Sequence, residues 1–393
     1  MNNSSIIGAV EKTMPVPGLG CRAFLLLLCS FLFGFCAIST MASATTTSAT
    51  TASATTAVYI ANSDSHSLSV FWLDEQTGKA ALQQTLAVRG AVIPLRLSHN
   101  KRLLYAAIRS EPYRVAVFDI NPHTGYLTAR TSIPLPDSMA NIDLDRAGRY
   151  LLSASYGGNS ISIQPLDSSG IPAAQAQVIK TGAHPHQITA DPENQFIYVS
   201  LLGENRLDYF RLGDDTPHTT ALELPAGSGP RHFVFSKQKK RVYVLSELSA
   251  QVQVAVRDHS TGVLTLRESH SLLPAGSTPW AADIHLTPDE HFLYVSERNS
   301  NSLFGFSVDQ QSGRLRALGK WTTEHQPRAF AIAESGRYLA VVGQKSHHLQ
   351  VFAINPATGA LTATDRKATG NNPSWVETLA LKARTNKPEV QDE

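Results

Sequence analysis

The chain has 393 residues, 42% hydrophobic and 17% charged, with a formal net charge of +2. Near neutrality and a mean hydropathy of −0.12 exclude the strong basic field that recruits nucleic acid or an anionic membrane surface. Length alone suggests two or three domains, but an internal repeat overrules that prior.

The first segment differs from everything after it. Residues 23–38 are almost wholly apolar, Lys12 and Arg22 precede them, and Ala42-Ser43-Ala44 follows. This is the layout of a secretory signal peptide with an A-x-A cleavage site. The apolar run is shorter than the about 20 residues of a membrane-spanning helix. Residues 1–44 are therefore expected to be a signal peptide, and residues 45–56, rich in Thr, Ser and Ala, a disordered linker. The expected location is the periplasm, with no stable membrane association after cleavage. Initiation at Met41 would instead leave the protein in the cytoplasm. The three cysteines, Cys21, Cys29 and Cys36, all fall in the leader. The mature chain then has neither a disulfide nor a thiol nucleophile.

From residue 57 a short alternating phrase recurs. It reads Ser67-Leu-Ser-Val-Phe71, Arg114-Val-Ala-Val-Phe118, Ser160-Ile-Ser-Ile-Gln164 and Arg206-Leu-Asp-Tyr-Phe210. It continues as Gln251-Val-Gln-Val-Ala255, Ser302-Leu-Phe-Gly-Phe306 and His348-Leu-Gln-Val-Phe352. Successive starts lie 47, 46, 46, 45, 51 and 46 residues apart. A period in the mid-forties built from short strands marks a β-propeller. Each unit holds four strand-like segments, as in Ile93–Ser98, Leu103–Ile108, Arg114–Phe118 and a fourth from Tyr126. The turn before the fourth strand recurs as Asp74-Glu-Gln-Thr-Gly78, Asp258-His-Ser-Thr-Gly262 and Asn355-Pro-Ala-Thr-Gly359, where glycine suits a left-handed position. Lys237-Gln-Lys-Lys-Arg241 reads as a solvated turn.

The unit that opens at Ala57-Val-Tyr-Ile-Ala61 lacks a first strand, and Trp375-Val-Glu-Thr-Leu-Ala380 has the look of one. The expectation is an all-β, seven-bladed propeller over residues 57–381, closed by the C-terminal strand docking into the N-terminal blade. Closure leaves no unpaired inner edge. Residues 382–393 are expected to be a disordered tail.

A propeller blade places its first strand innermost, with the second antiparallel beside it. Residues entering strand one and residues leaving strand two therefore share one end of the channel. Entries include His184-Pro-His186, Gly229-Pro-Arg231-His232, Trp280-Ala-Ala-Asp283, Gln326-Pro-Arg328 and Pro373-Ser-Trp375. Exits include Asn62, Arg109, Tyr156, Glu247, Glu297-Arg298 and Gln344-Lys345. A single rim arginine ordinarily makes a surface ion pair, and a lone strand histidine ordinarily serves the core. So many charged residues from five or more blades at one end instead point to a site. Arginine forks suit phosphate or carboxylate, and Glu247, His232 or His285 could act as general base on water. Asp283 and His285 alternate in one strand and share a face. Walker, H-E-x-x-H and G-x-S-x-G patterns are absent from the sequence, and no histidine spacing argues for a metal. The adjacent His347 and His348 point oppositely in a strand.

At Gly229-Pro-Arg-His232, Ser246-Glu247-Leu248, Trp280-Ala-Ala-Asp-Ile-His285, Gln326-Pro-Arg328 and Gly343-Gln-Lys-Ser-His-His348 the chain resembles the bacterial 6-phosphogluconolactonases of the seven-bladed propeller lactonase family. The resemblance covers roughly residues 57–381. It implies hydrolysis of 6-phospho-D-glucono-1,5-lactone to 6-phosphogluconate, in the pentose phosphate pathway, without a cofactor. It places His186, Arg231, His232, Glu247, Asp283, His285, Arg298, Arg328, Gln344 and Lys345 in the polar cluster. Glu247, assisted by His232 or His285, would activate water. Arg231 and Arg328 would hold phosphate or polarise the lactone carbonyl, with His186, Arg298, Gln344 and Lys345 also contacting substrate. Glu247→Gln is expected to abolish turnover and spare the fold.

The leader departs from the family's cytoplasmic setting and raises an exported lactonase for an unphosphorylated sugar lactone. A non-catalytic binding propeller of the cell envelope would show an exposed apolar patch and tolerate loss of the channel arginines. A redox propeller is disfavoured by the lack of any C-x-x-C-H. A monomer acting on a small-molecule sugar lactone is the expected form.

Overall fold

The computed structural model describes residues 55–212, 219–236 and 240–383. The proposed signal peptide, and most of the proposed linker and tail, lie outside these residues. Thr55 and Thr56, assigned to the linker by sequence, already belong to the first strand, Thr55–Asn62. The Thr56 hydroxyl donates to Glu75 Oε1 at 2.6 Å, which anchors that end.

The described chain is almost entirely β, arranged as seven four-stranded antiparallel sheets. Blades two to seven each take four consecutive strands. Blade one combines Thr55–Asn62, Ser67–Asp74 and Lys79–Ala87 with the C-terminal strand Pro373–Ala380. That strand pairs antiparallel with the first, from Thr56 opposite Ala380 to Asn62 opposite Pro373. The seven innermost strands pack side by side in a ring, with Pro373–Ala380 lodged between Val92–Leu97 and Pro327–Ile332. The expected propeller and its closure are thus observed.

Burial follows position in the blade. The second strand is covered on both faces, as in Leu103–Ile108, where every residue is buried. The fourth is largely exposed, as in Leu127–Pro134. Apolar side chains of neighbouring blades interleave: Tyr243, Leu245 and Val252 of blade five pack with Ile284, Leu293 and Val295 of blade six.

Hydrogen bonds also tie blade to blade. The hydroxyls of Tyr59, Tyr105, Tyr198, Tyr243 and Tyr294 each donate to a glycine carbonyl of the following blade: Gly125, Gly170, Gly262, Gly313 and Gly359. Four of these glycines close the repeated Asp/Asn-x-x-Ser/Thr-Gly turn, with φ of 69–82°. The turn the sequence marks as left-handed is therefore also the acceptor of an inter-blade bond. We expect Tyr243→Phe to cost about 1–2 kcal/mol, because it strands a buried carbonyl. Urea unfolding measures this, and a midpoint equal to that of the unaltered protein would refute it.

Candidate active site

Five innermost strands begin with one local device. In four of them a residue with φ between 51° and 62° (His184, Gly229, Gln326, Asn372) precedes a proline, which starts the strand. Proline suits that first position because it forfeits no ladder bond there. The ladder then skips one residue. Pro185 and Gln187 face Leu201 and Ser200, and Pro230 and His232 face Ser246 and Leu245. Pro327 and Ala329 face Gly343 and Val342, and Pro373 and Trp375 face Asn62 and Ala61. The residues left over are His186, Arg231, Arg328 and Ser374. Blade six skips similarly between Ala281 and Ile284, across Asp283. Such bulges re-aim a side chain, and here they collect five of them at one end of the channel.

Glu247 is the hub. Arg231 Nε and Arg298 Nη2 each lie 2.8 Å from the same oxygen, Oε2. Arg231 is only 1% exposed. Its Nη1 donates to the Ala282 carbonyl, and its own carbonyl accepts from Ser200 Oγ at 2.7 Å. Arg298 is fixed by the carbonyls of Trp280 (3.1 Å) and Ala281 (3.0 Å), with its guanidinium 4.0 Å from the Trp280 ring centre. Arg328 donates to the Ser374 carbonyl at 3.0 Å and has no carboxylate in ion-pair reach among the described residues. Burial pushes the Glu247 carboxyl up, but Arg231, Arg298 and Arg328 outweigh it and hold it below its ordinary range. Burial, then repulsion from Arg231, Arg298 and Arg109, presses Arg328 well below its ordinary value. Two guanidiniums thus share one carboxylate and a third beside them has none, so the end is short of negative charge.

His232 lies beside this cluster. Its Nδ1 is 2.8 Å from Asp283 Oδ1, and its Nε2 is 3.4 Å from Arg231 Nη1. Burial, then Arg231, lowers His232 to about 4. The ring is therefore neutral at pH 7, with Nδ1–H donating to Asp283 and the Nε2 lone pair turned to the arginines. Asp283 is well equipped to hold that tautomer. Its Oδ2 accepts from His285 Nε2 at 3.2 Å and from Phe330 N–H at 3.1 Å, and its Oδ1 also accepts from Ile284 N–H at 3.1 Å. Burial pushes the Asp283 carboxyl up, but His285 and His232 bring it well below its ordinary range. His186 meets His232 edge-on at 5.0 Å, and burial followed by Arg231 keeps it neutral. Among the described residues, no three His, Cys, Asp or Glu side chains could share a metal ion.

The structure thus brings together His186, Arg231, His232, Glu247, Asp283, Arg298 and Arg328. Three expected residues stand differently. Lys345 is exposed, and its ammonium takes no partner among the described residues; it follows the last innermost bonds and swings outward at the turn. Gln344 is spent on the side chains of Gln326, Asn372 and Ser374 at 2.8–3.0 Å, so it buttresses the Ser374 segment behind Arg328. His285 lines a cavity with Arg96 and Glu377 that His232 and Asp283 also border, and it is hydrogen-bonded to the cluster through Asp283. Two side chains near the site were legible as strand-two exits but not chosen. Tyr156 stacks on His184 at 4.2 Å. Arg109, held by Ser138 Oγ at 2.8 Å, adds to the positive field at Arg328.

Comparison with known proteins agrees with this architecture. The family described as "Lactonase, 7-bladed beta-propeller" matches residues 47–378. The chain belongs to the seven-bladed β-propeller lactonase family. Its class of activity is lactone (carboxylic ester) hydrolysis. This lactonase is 39% identical over 326 residues to the 6-phosphogluconolactonase of Yersinia pestis, covering 81% of this chain and 97% of that one. It is 38% identical to the 6-phosphogluconolactonase of Serratia proteamaculans, covering 82% and 98%. Among solved structures, the periplasmic gluconolactonase of Pseudomonas aeruginosa superposes with a TM-score of 0.77 at 26% identity, over 83% of this chain and all of that one.

Proposed function

We propose that this lactonase opens 6-phospho-D-glucono-1,5-lactone to 6-phosphogluconate, its step in the pentose phosphate pathway, at the arginine–glutamate–histidine end of the channel. The observation that carries the reading is a group of three arginines, with Arg231 and Arg298 paired to the single carboxylate of Glu247 and Arg328 beside them paired to none. Such a cluster gains from a dianionic phosphate, which supplies the missing charge and accepts forked N–H bonds. The relatives named 6-phosphogluconolactonase support the same substrate.

The chemistry follows from the proton inventory. Water gives a proton to His232 Nε2, and its oxygen adds to the lactone carbonyl carbon. The oxyanion that forms is met by guanidinium N–H groups of Arg231 and Arg298. The bond from that carbon to the ring oxygen then breaks, and His232 returns its proton to the departing alkoxide. Asp283 keeps the imidazole in the required tautomer and balances its transient charge. Glu247 has its Oε2 occupied by two arginines at 2.8 Å, whereas the nearest donor to His232 Nε2 is Arg231 Nη1 at 3.4 Å. The role of Glu247 is to orient the arginines, and the base is His232.

Arg328, the one guanidinium of the three without a carboxylate, is assigned to the phosphate. We expect Arg328→Met to raise KM for the phosphorylated lactone by about 10–100-fold, the loss of one or two charge-assisted bonds. Activity on unphosphorylated gluconolactone should change by less than about threefold. Both are read after subtracting spontaneous hydrolysis. An equal loss on both substrates would remove Arg328 from phosphate recognition.

A second reading has its own support. The leader-like residues 1–44 and the likeness to a periplasmic gluconolactonase favour an exported enzyme for an unphosphorylated sugar lactone. Turnover of gluconolactone alone in the same assay would select it.

A further inference from the structure

Further along the innermost strands, past His232, the channel contains a second space. It is a cavity of about 490 Å³ lined by His232, Asp283, His285, Trp375, Glu377, Arg96, Asp143 and Arg146 among others. None of Arg231, Glu247, Arg298 and Arg328 reaches it. Much of its polar wall is already spent. Arg96 Nε lies 2.7 Å from Asp143 Oδ1. Asp143 also accepts from Thr189 Oγ1, and the Gln187 amide is used at both ends by the Phe233 backbone, at 2.7 and 3.1 Å.

What remains is a small set of groups without hydrogen-bond partners among the described residues. They are the terminal nitrogens of Arg96, Nη1 of Arg146, Nδ1 of His285 and one carboxyl oxygen of Glu377. The other Glu377 oxygen accepts from Trp375 Nε1 at 3.3 Å. Arg96 is balanced by Asp143, and His285 by Asp283. Arg146 is not balanced: at the exposed mouth it donates only to the carbonyls of Ala190 (2.7 Å) and Asp191 (3.3 Å). Burial holds the Glu377 carboxyl above its ordinary value, against the pull of Arg96. The Trp375 ring adds an apolar surface. The volume lies within the range of small-molecule sites, where a few polar groups on a partly apolar wall fix the ligand.

We propose that this cavity binds a small hydroxylated monocarboxylate, a sugar acid, at a site separate from the arginine–glutamate cluster. The carboxylate would pair with Arg146 and the free Arg96 nitrogens. Hydroxyls would bond Glu377 and His285 Nδ1, with the carbon skeleton against Trp375. A sugar acid is also the class of molecule that lactone hydrolysis releases. His232 forms part of the wall of the same cavity, and Asp283 also links it to His285 by hydrogen bonds. The inference rests on the cavity and not on which lactone the enzyme opens.

Calorimetric titration of D-gluconate into the full chain tests it, with D-glucose as the ligand lacking a carboxylate. The expected result is saturable gluconate binding that Arg328→Met changes by less than about twofold. Arg146→Met should weaken it by about tenfold or more, the loss of a charge-assisted pair, and D-glucose should bind at least about tenfold more weakly. Glu377→Gln, folded as judged by circular dichroism, should weaken gluconate and glucose alike. Arg146 is exposed, so its variant folds even if Glu377→Gln does not. Binding abolished by Arg328→Met and untouched by Arg146→Met would assign the ligand to the arginine cluster and overturn the proposal. So would the absence of binding to the unaltered protein up to roughly 10 mM ligand, a concentration beyond weak millimolar affinity.

Discussion

His232→Gln is expected to lower kcat by about 10²- to 10⁴-fold, the span general acid–base catalysis contributes. Glutamine is the informative replacement. Its amide N–H can still donate to Asp283 Oδ1, where His232 Nδ1 now sits at 2.8 Å, so Asp283 keeps a partner and the bulge at Arg231 stays seated. Only the proton acceptor at Nε2 disappears. KM for the phosphorylated lactone should hold within about threefold, because the arginines are untouched. The pH profile supplies a second readout. The working form of His232 is neutral, and burial with Arg231 places its titration near 4. kcat/KM is therefore flat from neutrality down to about pH 5 and falls only as pH drops through about 4. In the variant that acid limb vanishes along with most of the rate. A loss of less than tenfold, or an unchanged acid limb, would place the base elsewhere.

Glu247→Gln is expected to destabilise the protein by about 3–5 kcal/mol, the usual cost of removing one partner from a buried ion pair, and also to abolish measurable turnover. From the sequence alone this substitution looked neutral for the fold. The ion pairs of Arg231 and Arg298 with Glu247 Oε2 lead to the opposite prediction for that half. Without that charge, two guanidiniums face each other and Arg328 across a site largely shut off from water. Two further measurements isolate the cause. Combining Glu247→Gln with Arg298→Met removes one of the opposed charges and should recover part of the lost stability, a coupling a double-mutant cycle reads directly. Inorganic phosphate should raise Tm more in Glu247→Gln than in the unaltered protein, since the anion replaces the missing charge. Unfolding of the single variant at the same urea midpoint as the parent would refute the account.

The propeller was legible because its information is local and repeated. A strand of alternating residues and an Asp/Asn-x-x-Ser/Thr-Gly turn reappear every 45–51 residues, and each copy announces the same unit. The closing strand followed from an incomplete first unit and a surplus strand at the other end, now paired from Thr56–Ala380 to Asn62–Pro373. Strand order within a blade also told which residues share a channel mouth, and so gathered Arg231, Glu247, Arg298 and Arg328 correctly. The tyrosine bonds between blades carried a signal that could have been read: Tyr105, Tyr198, Tyr243 and Tyr294 recur at one position of the second strand, each ahead of a turn glycine in the next blade.

What the sequence by itself determined was the number of blades, the closure of the ring and the end of the channel where charge collects. Side-chain aim was decided only by the tertiary structure. Alternation puts His285 on the same face as Asp283, but a bulge between Ala281 and Ile284 leaves Asp283 bridging two histidines, of which His232 also lies against Arg231. It also could not show that Glu247 would meet arginines from two blades, or that Lys345 would turn outward. These outcomes depend on how the sheets pack and on the residues skipped at the start of most innermost strands. Contacts between residues about fifty positions apart fix such features, and no periodic pattern along the chain encodes them.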